Sequence, residues 1–268
     1  MQCFQIELSN HARQVGPSHN FQVSLKTSRS DPSRDSLSIA MFYIIICAVL
    51  LVATVCIRVY CILPKPIVPE RPKKSAENRT LAVFLGGHTS EMLALVSSLD
   101  FDRYFPRIYI ISGDDTLSER KAAALEATKA ASSHSTSKNS DAYTFLVIPR
   151  ARKVHQSLLT TPFTALLSVI ESFYHVALAS SHQKGQFADV LVLNGPGTCL
   201  TLCLAVYLNK LEFFGLASPK MVYIESFARV QTLSLSGKLL RFLVDRFVVQ
   251  WPQLLQDGKR GEYHGWLI

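Results

Sequence analysis

The sequence predicts an α/β protein: a single Rossmann-like parallel-sheet domain preceded by one transmembrane helix. Three observations carry this. Ile39 to Ile57 is an uncharged apolar run of about 19 residues, long enough to span a bilayer as a helix. From Leu81 onward, strand-length apolar runs alternate with stretches of helical pattern, which is how a parallel sheet covered on both faces is written in sequence. Two glycine turns, Gly86-Gly87 and Gly195-Pro196-Gly197, each stand between such a strand and such a helix.

Taken in order, residues 1–38 are polar, Ser-rich and unpatterned, and are expected to be a disordered extension. The anchor is assigned to residues 39–63. A buried core helix would show a polar face somewhere in so long a run, and a cleaved signal peptide would have a shorter apolar region and a small-x-small cleavage site. Met41 lies inside the run, so a chain started there would keep its anchor and would lose nothing with an assigned role. Residues 64–79 form a linker whose core, KPIVPERPKK, is Pro-rich and basic, a stiff spacer with cations suited to anionic head groups. Arg58, Lys65, Arg71, Lys73 and Lys74 follow the span, against Lys26, Arg29 and Arg34 before it. That excess places the carboxyl side in the cytosol. The sequon Asn78-Arg79-Thr80 then never meets the lumen and stays bare.

Residues 80–268 form the domain. Strands are expected at Leu81–Leu85, Arg107–Ser112, Tyr143–Ile148, Ala188–Leu193, Lys220–Glu225 and Arg246–Gln250. Helices are expected from Met92, over Ser118–Ala131, Leu158–Ser180 and Cys199–Phe214, and briefly over Ser236–Val244. A Ser-rich loop covers Ser132–Ser140. Cys199 and Cys203 sit at i, i+4 in an apolar stretch without His or Cys at metal spacing, and read as small buried apolar residues.

The chain has 268 residues, a net charge of +8 and an isoelectric point near 9.2. That balance favours an anionic neighbour. Neither paired zinc spacing nor an RNP-like box is present, so nucleic acid is set aside and a membrane or a phosphorylated substrate leads. The two glycine turns are where such a substrate would bind, because they bring backbone N–H groups to helix N-termini. Each read alone is equally a tight turn. Thr89 or Ser90 is positioned to cap the first helix. Arg150 and Arg152, in the loop RARKVHQS after the third strand, are either a solvated basic loop or a head-group or pyrophosphate contact.

The blocks GGHTSEM (Gly86–Met92), DTLSE (Asp115–Glu119), NGPGTC (Asn194–Cys199), VYIESFARVQTLSLSGK (Val222–Lys238) and DRFVVQWP (Asp245–Pro252) resemble one family in order and spacing. It is the membrane-anchoring subunit of the two-chain UDP-N-acetylglucosamine transferase of dolichol-linked oligosaccharide synthesis, asparagine-linked glycosylation protein fourteen. The resemblance spans about Met41 to Ile268. It implies a single-pass protein of the endoplasmic reticulum membrane with its domain in the cytosol. It implies one half of a GT-B-like enzyme, the acceptor side, completed by a soluble catalytic subunit, asparagine-linked glycosylation protein thirteen, which holds UDP-N-acetylglucosamine. The reaction so implied adds the second N-acetylglucosamine to N-acetylglucosaminyl-diphospho-dolichol with inversion, and needs neither metal nor cofactor. The family usually reads Gly-Ser-Gly-Gly-His after the first strand. Here Leu85 runs straight into Gly86-Gly87-His88, a turn shorter by two residues, with fewer amide donors.

An inverting transfer needs a general base for the acceptor hydroxyl. His88 is the first candidate, with Glu91 and Glu225 as alternatives; a carboxylate at a helix start or turn is also simply structural. Gly86, Gly87, Thr89, Asn194, Gly195, Pro196, Gly197, Thr198, Arg150 and Arg152 are the candidate substrate and phosphate contacts. The carboxyl end, Tyr263 to Ile268, is a candidate part of the partner interface. Two other readings remain: a pure membrane scaffold without a share in the active site, and a nucleotide-binding oxidoreductase. The latter requires Asp114 or Asp115 to hold a ribose, and the anchor and short glycine loop speak against it.

Overall fold

The computed structural model describes residues 32–64, 78–132, 142–152, 156–157, 159–182, 187–195, 197–211 and 218–268. The linker core, the Ser-rich loop, Pro196 and residues 1–31 lie outside these.

Helix α1 runs over Pro32–Ile62. Its stretch Ile39–Ile62 is long and apolar enough to cross a membrane, with none of it buried inside the structure. The helix therefore starts several residues before the expected anchor and takes in the last part of the segment expected to be disordered. Pro32 suits a first-turn position, where its missing N–H is not needed.

The remaining elements build one α/β domain. They are β1 Leu81–Leu85, α2 Thr89–Ser97, β2 Arg107–Ser112, α3 Thr116–Ser132, β3 Tyr143–Ile148, α4 Thr161–His182, β4 Val190–Leu193, α5 Thr198–Leu211, β5 Lys220–Ile224, α6 Leu235–Leu240, β6 Arg246–Val249 and β7 Glu262–Tyr263. A 3₁₀ turn, Pro252–Leu255, lies between the last two strands. The seven strands form one sheet in the order β3-β2-β1-β4-β5-β6-β7, every pair parallel. β1 and β2 are buried at every position, as continuous apolar strands in a doubly covered sheet must be.

Two apolar layers sandwich the sheet. One joins Phe84, Ile110, Leu191 and Tyr223 to Val176 of α4, to Cys199, Leu202, Cys203 and Val206 of α5, and to Leu240 of α6. The other joins Leu81, Val83, Leu85 and Tyr109 to Met92, Leu93 and Val96 of α2 and Ala122 of α3. Cys199 and Cys203 are fully buried in the first layer, and burial pushes both thiols up, Cys203 to about 12. Beneath α3, Arg107 donates from Nε and a terminal nitrogen to Glu126 at 2.7 and 2.8 Å, and the Tyr109 hydroxyl donates to the same carboxylate at 2.7 Å. All three side chains are buried, so each charge depends on the other.

Several boundaries differ from the sequence expectation for identifiable reasons. β4 begins at Val190 because the Asp189 carboxylate turns back to accept from the Thr80 N–H at 2.7 Å. α4 begins at Thr161, which leaves Pro162 in its first turn. α6 ends at Leu240, and buried Arg241 after it is drawn into a pairing with exposed Asp257 at 2.6 and 2.9 Å. The seventh strand was not expected. It adds only two residues in parallel to β6, with Val248 opposite Glu262 and Val249 opposite Tyr263.

Candidate functional site

β1 is the strand at which the order of strands in the sheet reverses, since it pairs with β2 on one side and β4 on the other. In open α/β sheets the carboxyl ends of strands at such a reversal bound the ligand crevice. The loops that leave those two ends here are the two glycine turns. They touch. Gly195 adopts φ +114°, and a Cβ placed on it would stand 2.9 Å from the Gly86 carbonyl oxygen and 3.1 Å from Cδ2 of His88. Glycine is therefore required at 195 both by its backbone and by its neighbours. Gly87 also takes a left-handed conformation, φ 79°, which turns the chain directly into α2.

His88 is the N-cap residue of α2, and no side chain caps that helix. The expected cap by Thr89 or Ser90 is not formed, because the short turn starts the helix at Thr89 itself. Their hydroxyls face α3 instead: Thr89 Oγ1 lies 2.6 Å from Ser118 Oγ, and Lys121 Nζ donates to Ser90 Oγ at 2.9 Å. Between the starts of α2 and α3 opens a cleft of about 410 Å³, lined by Gly87, His88, Glu91, Asp115, Ser118 and Lys121 among others. Asp115 accepts from the Ser118 N–H at 3.1 Å, so it holds the first turn of α3. Asp114 adopts φ 64°.

The three carboxyl and imidazole candidates occupy different situations. The His88 side chain is 40 % exposed and Glu91 12 %. Glu91 accepts from the Phe227 N–H at 2.8 Å, from Gln250 Nε2 at 2.8 Å and from the Ser226 hydroxyl at 3.0 Å. It pins the start of α2 to the ends of β5 and β6. Glu225 is only 1 % exposed. Its carboxylate accepts from the Ser234 hydroxyl at 3.1 Å, from the Ser234 N–H at 3.3 Å and from the Ser226 N–H at 3.4 Å. Burial raises its pKa above the ordinary carboxyl value, and the Ser234 and Ser226 donors oppose that shift. It lies so close under α6 that a Cβ at Gly237 would stand 1.9 Å from its Oε2. Of the three, His88 is the group that faces solvent in the crevice, while Glu91 and Glu225 are spent on donors from the chain.

The second glycine turn is supported from below and from the side. Tyr223 donates its hydroxyl to the Gly195 carbonyl at 3.3 Å. Thr198, the first residue of α5, is 5 % exposed, and its hydroxyl accepts from the Ala151 N–H at 3.3 Å. That bond ties the basic loop to the turn. Gly197 has nothing within 4 Å of a built Cβ. Asn194 is 1 % exposed, and neither side-chain polar atom has a hydrogen-bond partner among the described residues. Arg150 donates from Nε to the Gly113 carbonyl at 3.1 Å, beyond the end of β2, and exposed Arg152 donates to the Gln156 carbonyl at 2.9 Å. Both arginines sit on the same rim of the sheet as the glycine turns, and neither makes a described contact with His88. Ser226, Gln250 and Lys121 were missed in the sequence. The detectable signal was at Gln250, a polar residue closing the apolar strand RFVVQ.

These features define a Rossmann-type α/β domain, with a crevice at the reversal point of the sheet, in a chain that also carries a helix long and apolar enough to cross a membrane. The sequence model of the family described as "Oligosaccharide biosynthesis protein Alg14 like" matches residues 81–267. The chain belongs to that family. Relatives named UDP-N-acetylglucosamine transferase subunit ALG14 include one from Schizosaccharomyces pombe, 46 % identical over 195 residues, covering 72 % of this chain and 85 % of its own. One from Cryptococcus neoformans is 44 % identical over 190 residues, covering 68 % and 77 %. The mouse protein is 40 % identical over 183 residues, covering 68 % and 79 %. Among solved structures, Acinetobacter baumannii MurG aligns with a TM-score of 0.44 at 13 % identity, over 69 % of this chain and 45 % of that one.

Proposed function

We propose that this chain is the membrane-anchor and acceptor-side subunit of a two-chain UDP-N-acetylglucosamine transferase. Its single Rossmann-like lobe is one half of a GT-B-like enzyme, inactive alone. It recruits the soluble catalytic subunit to the cytosolic face of the endoplasmic reticulum. Together they add the second N-acetylglucosamine to N-acetylglucosaminyl-diphospho-dolichol. UDP-N-acetylglucosamine is the donor substrate, held by the partner, and no cofactor or metal takes part. Family membership supports the transferase class. The length and composition of α1 support the anchor, and the cationic excess after it supports the orientation. Exposed Tyr263, Trp266 and Ile268 at the carboxyl end suit a contact with the partner.

The observation that carries the reading is the position of His88, solvent-facing at the reversal point and wedged against Gly195 of the second glycine turn. In the reaction His88 takes the proton of the acceptor hydroxyl. That oxygen attacks the anomeric carbon of the donor from the face opposite UDP, and UDP leaves with the bonding electrons. Inversion follows from that geometry. The amides of the two glycine turns, with Thr89, Thr198, Arg150 and Arg152 on the same rim, receive the acceptor diphosphate. Glu91 and Glu225 shape the crevice and do not act as bases.

Co-expression with the soluble subunit should generate transfer to a short diphospho-lipid acceptor, and this chain alone should give none. His88→Ala should lower kcat by roughly 10²- to 10⁴-fold, the range for loss of a general base, with partner capture unchanged. Full activity of that variant would instead support a pure scaffold.

A further inference from the structure

We infer that Ser226 is a positioning residue that fixes the proton of His88 on Nδ1 and leaves Nε2 bare toward the crevice, with Glu91 and Gln250 holding Ser226 in turn. This deepens the reading of His88 as the base and rests on it for its catalytic meaning.

The argument is a count of hydrogen-bond valences. A serine hydroxyl has one hydrogen to donate and two lone pairs to accept with. Ser226 Oγ is 3.0 Å from Glu91 Oε2, and a carboxylate only accepts, so the one hydrogen goes there. The Ala228 N–H donates to Ser226 Oγ at 3.3 Å and uses one lone pair. The remaining neighbour is Nδ1 of His88 at 3.4 Å. With its hydrogen committed, the hydroxyl can only accept from that nitrogen. Nδ1 must therefore carry the proton. The same Glu91 oxygen lies 3.7 Å from Nδ1, too far for a good hydrogen bond yet on the side that favours an N–H there over a lone pair.

The commitment of Ser226 depends on Glu91 staying where it is. Two further donors fix it: the Phe227 N–H and Gln250 Nε2, each at 2.8 Å on Oε1. Gln250 is fully buried, and its Nε2 also reaches the Glu225 carbonyl at 3.2 Å. The amide cannot turn over without setting an oxygen against two acceptors. On the far side of the ring, Cδ2 lies 3.1 Å from where a Cβ on Gly195 would stand, so only glycine there leaves the ring its room. Among the described residues, the charged groups that line the cleft with His88 are Glu91 on its own helix, Asp115 just before α3 and Lys121 on α3. A neutral imidazole with its proton on Nε2 would offer the acceptor hydroxyl a donor where the reaction needs a lone pair. The relay excludes that form, as a supporting group does for other histidine bases.

The test reads the tautomer directly. The full chain with ¹⁵N-labelled histidine rings, in lipid nanodiscs with its soluble partner, gives long-range ¹H–¹⁵N correlations that distinguish Nδ1–H from Nε2–H. The signal lost in His88→Ala belongs to His88. The expected result is Nδ1–H for the neutral imidazole of the wild type. Ser226→Ala should yield a mixture of tautomers, and Ser226→Thr, which keeps the hydroxyl, should retain Nδ1–H. In the transfer assay Ser226→Ala should lower kcat on the order of 10- to 100-fold with KM nearly unchanged, and Ser226→Thr should recover most of it. A wild-type His88 protonated on Nε2 overturns the inference whether or not any variant folds. So does an unmixed Nδ1–H signal in Ser226→Ala. Full transfer activity in His88→Ala would sink the base assignment instead, and the spectra would still decide the relay.

Discussion

Gly237 is the position at which a single methyl group should do most damage. A Cβ there would stand 1.9 Å from Glu225 Oε2 and 3.1 Å from the carboxyl carbon, with Ser234 Oγ at 3.0 Å. No rotamer change at residue 237 relieves this, because alanine has none. The Glu225 carboxylate must leave Ser234, and it is 1 % exposed, so it has no water to move into. Forcing a methyl into filled space costs about 1–3 kcal/mol. Stripping a buried charged acceptor of one bond adds about 1.5–3 kcal/mol. Together Gly237→Ala should destabilise the domain by about 3–5 kcal/mol. Urea unfolding of the full chain in detergent measures this, followed by the fluorescence of Trp251 and Trp266, the only two tryptophans. Trp251 is well placed as a reporter, since its Nε1 donates to the Phe227 carbonyl at 2.8 Å beside the crevice. Gly113→Ala is the control, because its nearest contact to a built Cβ is the Ile148 carbonyl at an ordinary 3.7 Å. On a Glu225→Ala background the cost of Gly237→Ala should largely vanish, since the two effects share one contact. Equal midpoints for Gly237→Ala and wild type would refute the reasoning.

Burial raises the folded-state pKa of Glu225 above its ordinary value of 4.5, so the folded chain binds that proton more tightly than the unfolded one. Its contribution to stability therefore grows as pH falls through the raised value toward 4.5 and is lost as pH rises. Glu225→Gln should gain on wild type with rising pH across that window, read as a pH series of unfolding midpoints; a variant that loses ground to wild type as pH rises would contradict the assignment. Gly195→Ala must leave φ +114° or push the Gly86 carbonyl and the His88 ring, and should cost about 1–3 kcal/mol together with a fall in kcat. Equal kcat in the assembled enzyme would show that the two turns do not hold His88. Arg107→Met strands Glu126 in the core and should cost about 3–5 kcal/mol, most of it recovered by adding Glu126→Gln, as unfolding midpoints would record. Asn78, which is exposed, should remain unmodified in cells, and an endoglycosidase-sensitive mass shift lost in Asn78→Gln would reverse the orientation of the chain.

The strands were legible because a doubly covered parallel sheet demands uninterrupted apolar runs, and LAVFL and RIYIIS satisfy that with little ambiguity. The two glycine turns were legible as strand-to-helix joints at one edge of a parallel sheet, but that they touch follows from β1 and β4 being neighbours, which the strand order alone reveals. The roles of the acids were not. Glu225 ends a strand, as a catalytic carboxylate does, and only the space opened by Gly237, far along the chain, shows that it points inward. Glu91 sits where a helix-start acid or a base would, and the three donors that absorb it come from the ends of two other strands. Ser226 carries no local pattern that separates it from surface residues, and Gln250 is marked only by closing the apolar strand RFVVQ. β7 escaped notice because two residues make no periodicity, and what seats Glu262 is a side-chain pairing with Arg246 and His264.

That closing pair of residues has a protective effect on the margin of the sheet. β6 exposes almost none of Phe247, Val248 and Val249. Without β7 their backbone amides and carbonyls would form an open seam of apolar residues, the kind that foreign chains zip onto. Two rungs with a charged first residue shield that seam and are themselves too brief to template another strand. Clipping the tail just before Glu262 should therefore turn a well-behaved domain into a sticky one, quite apart from any effect on sugar transfer.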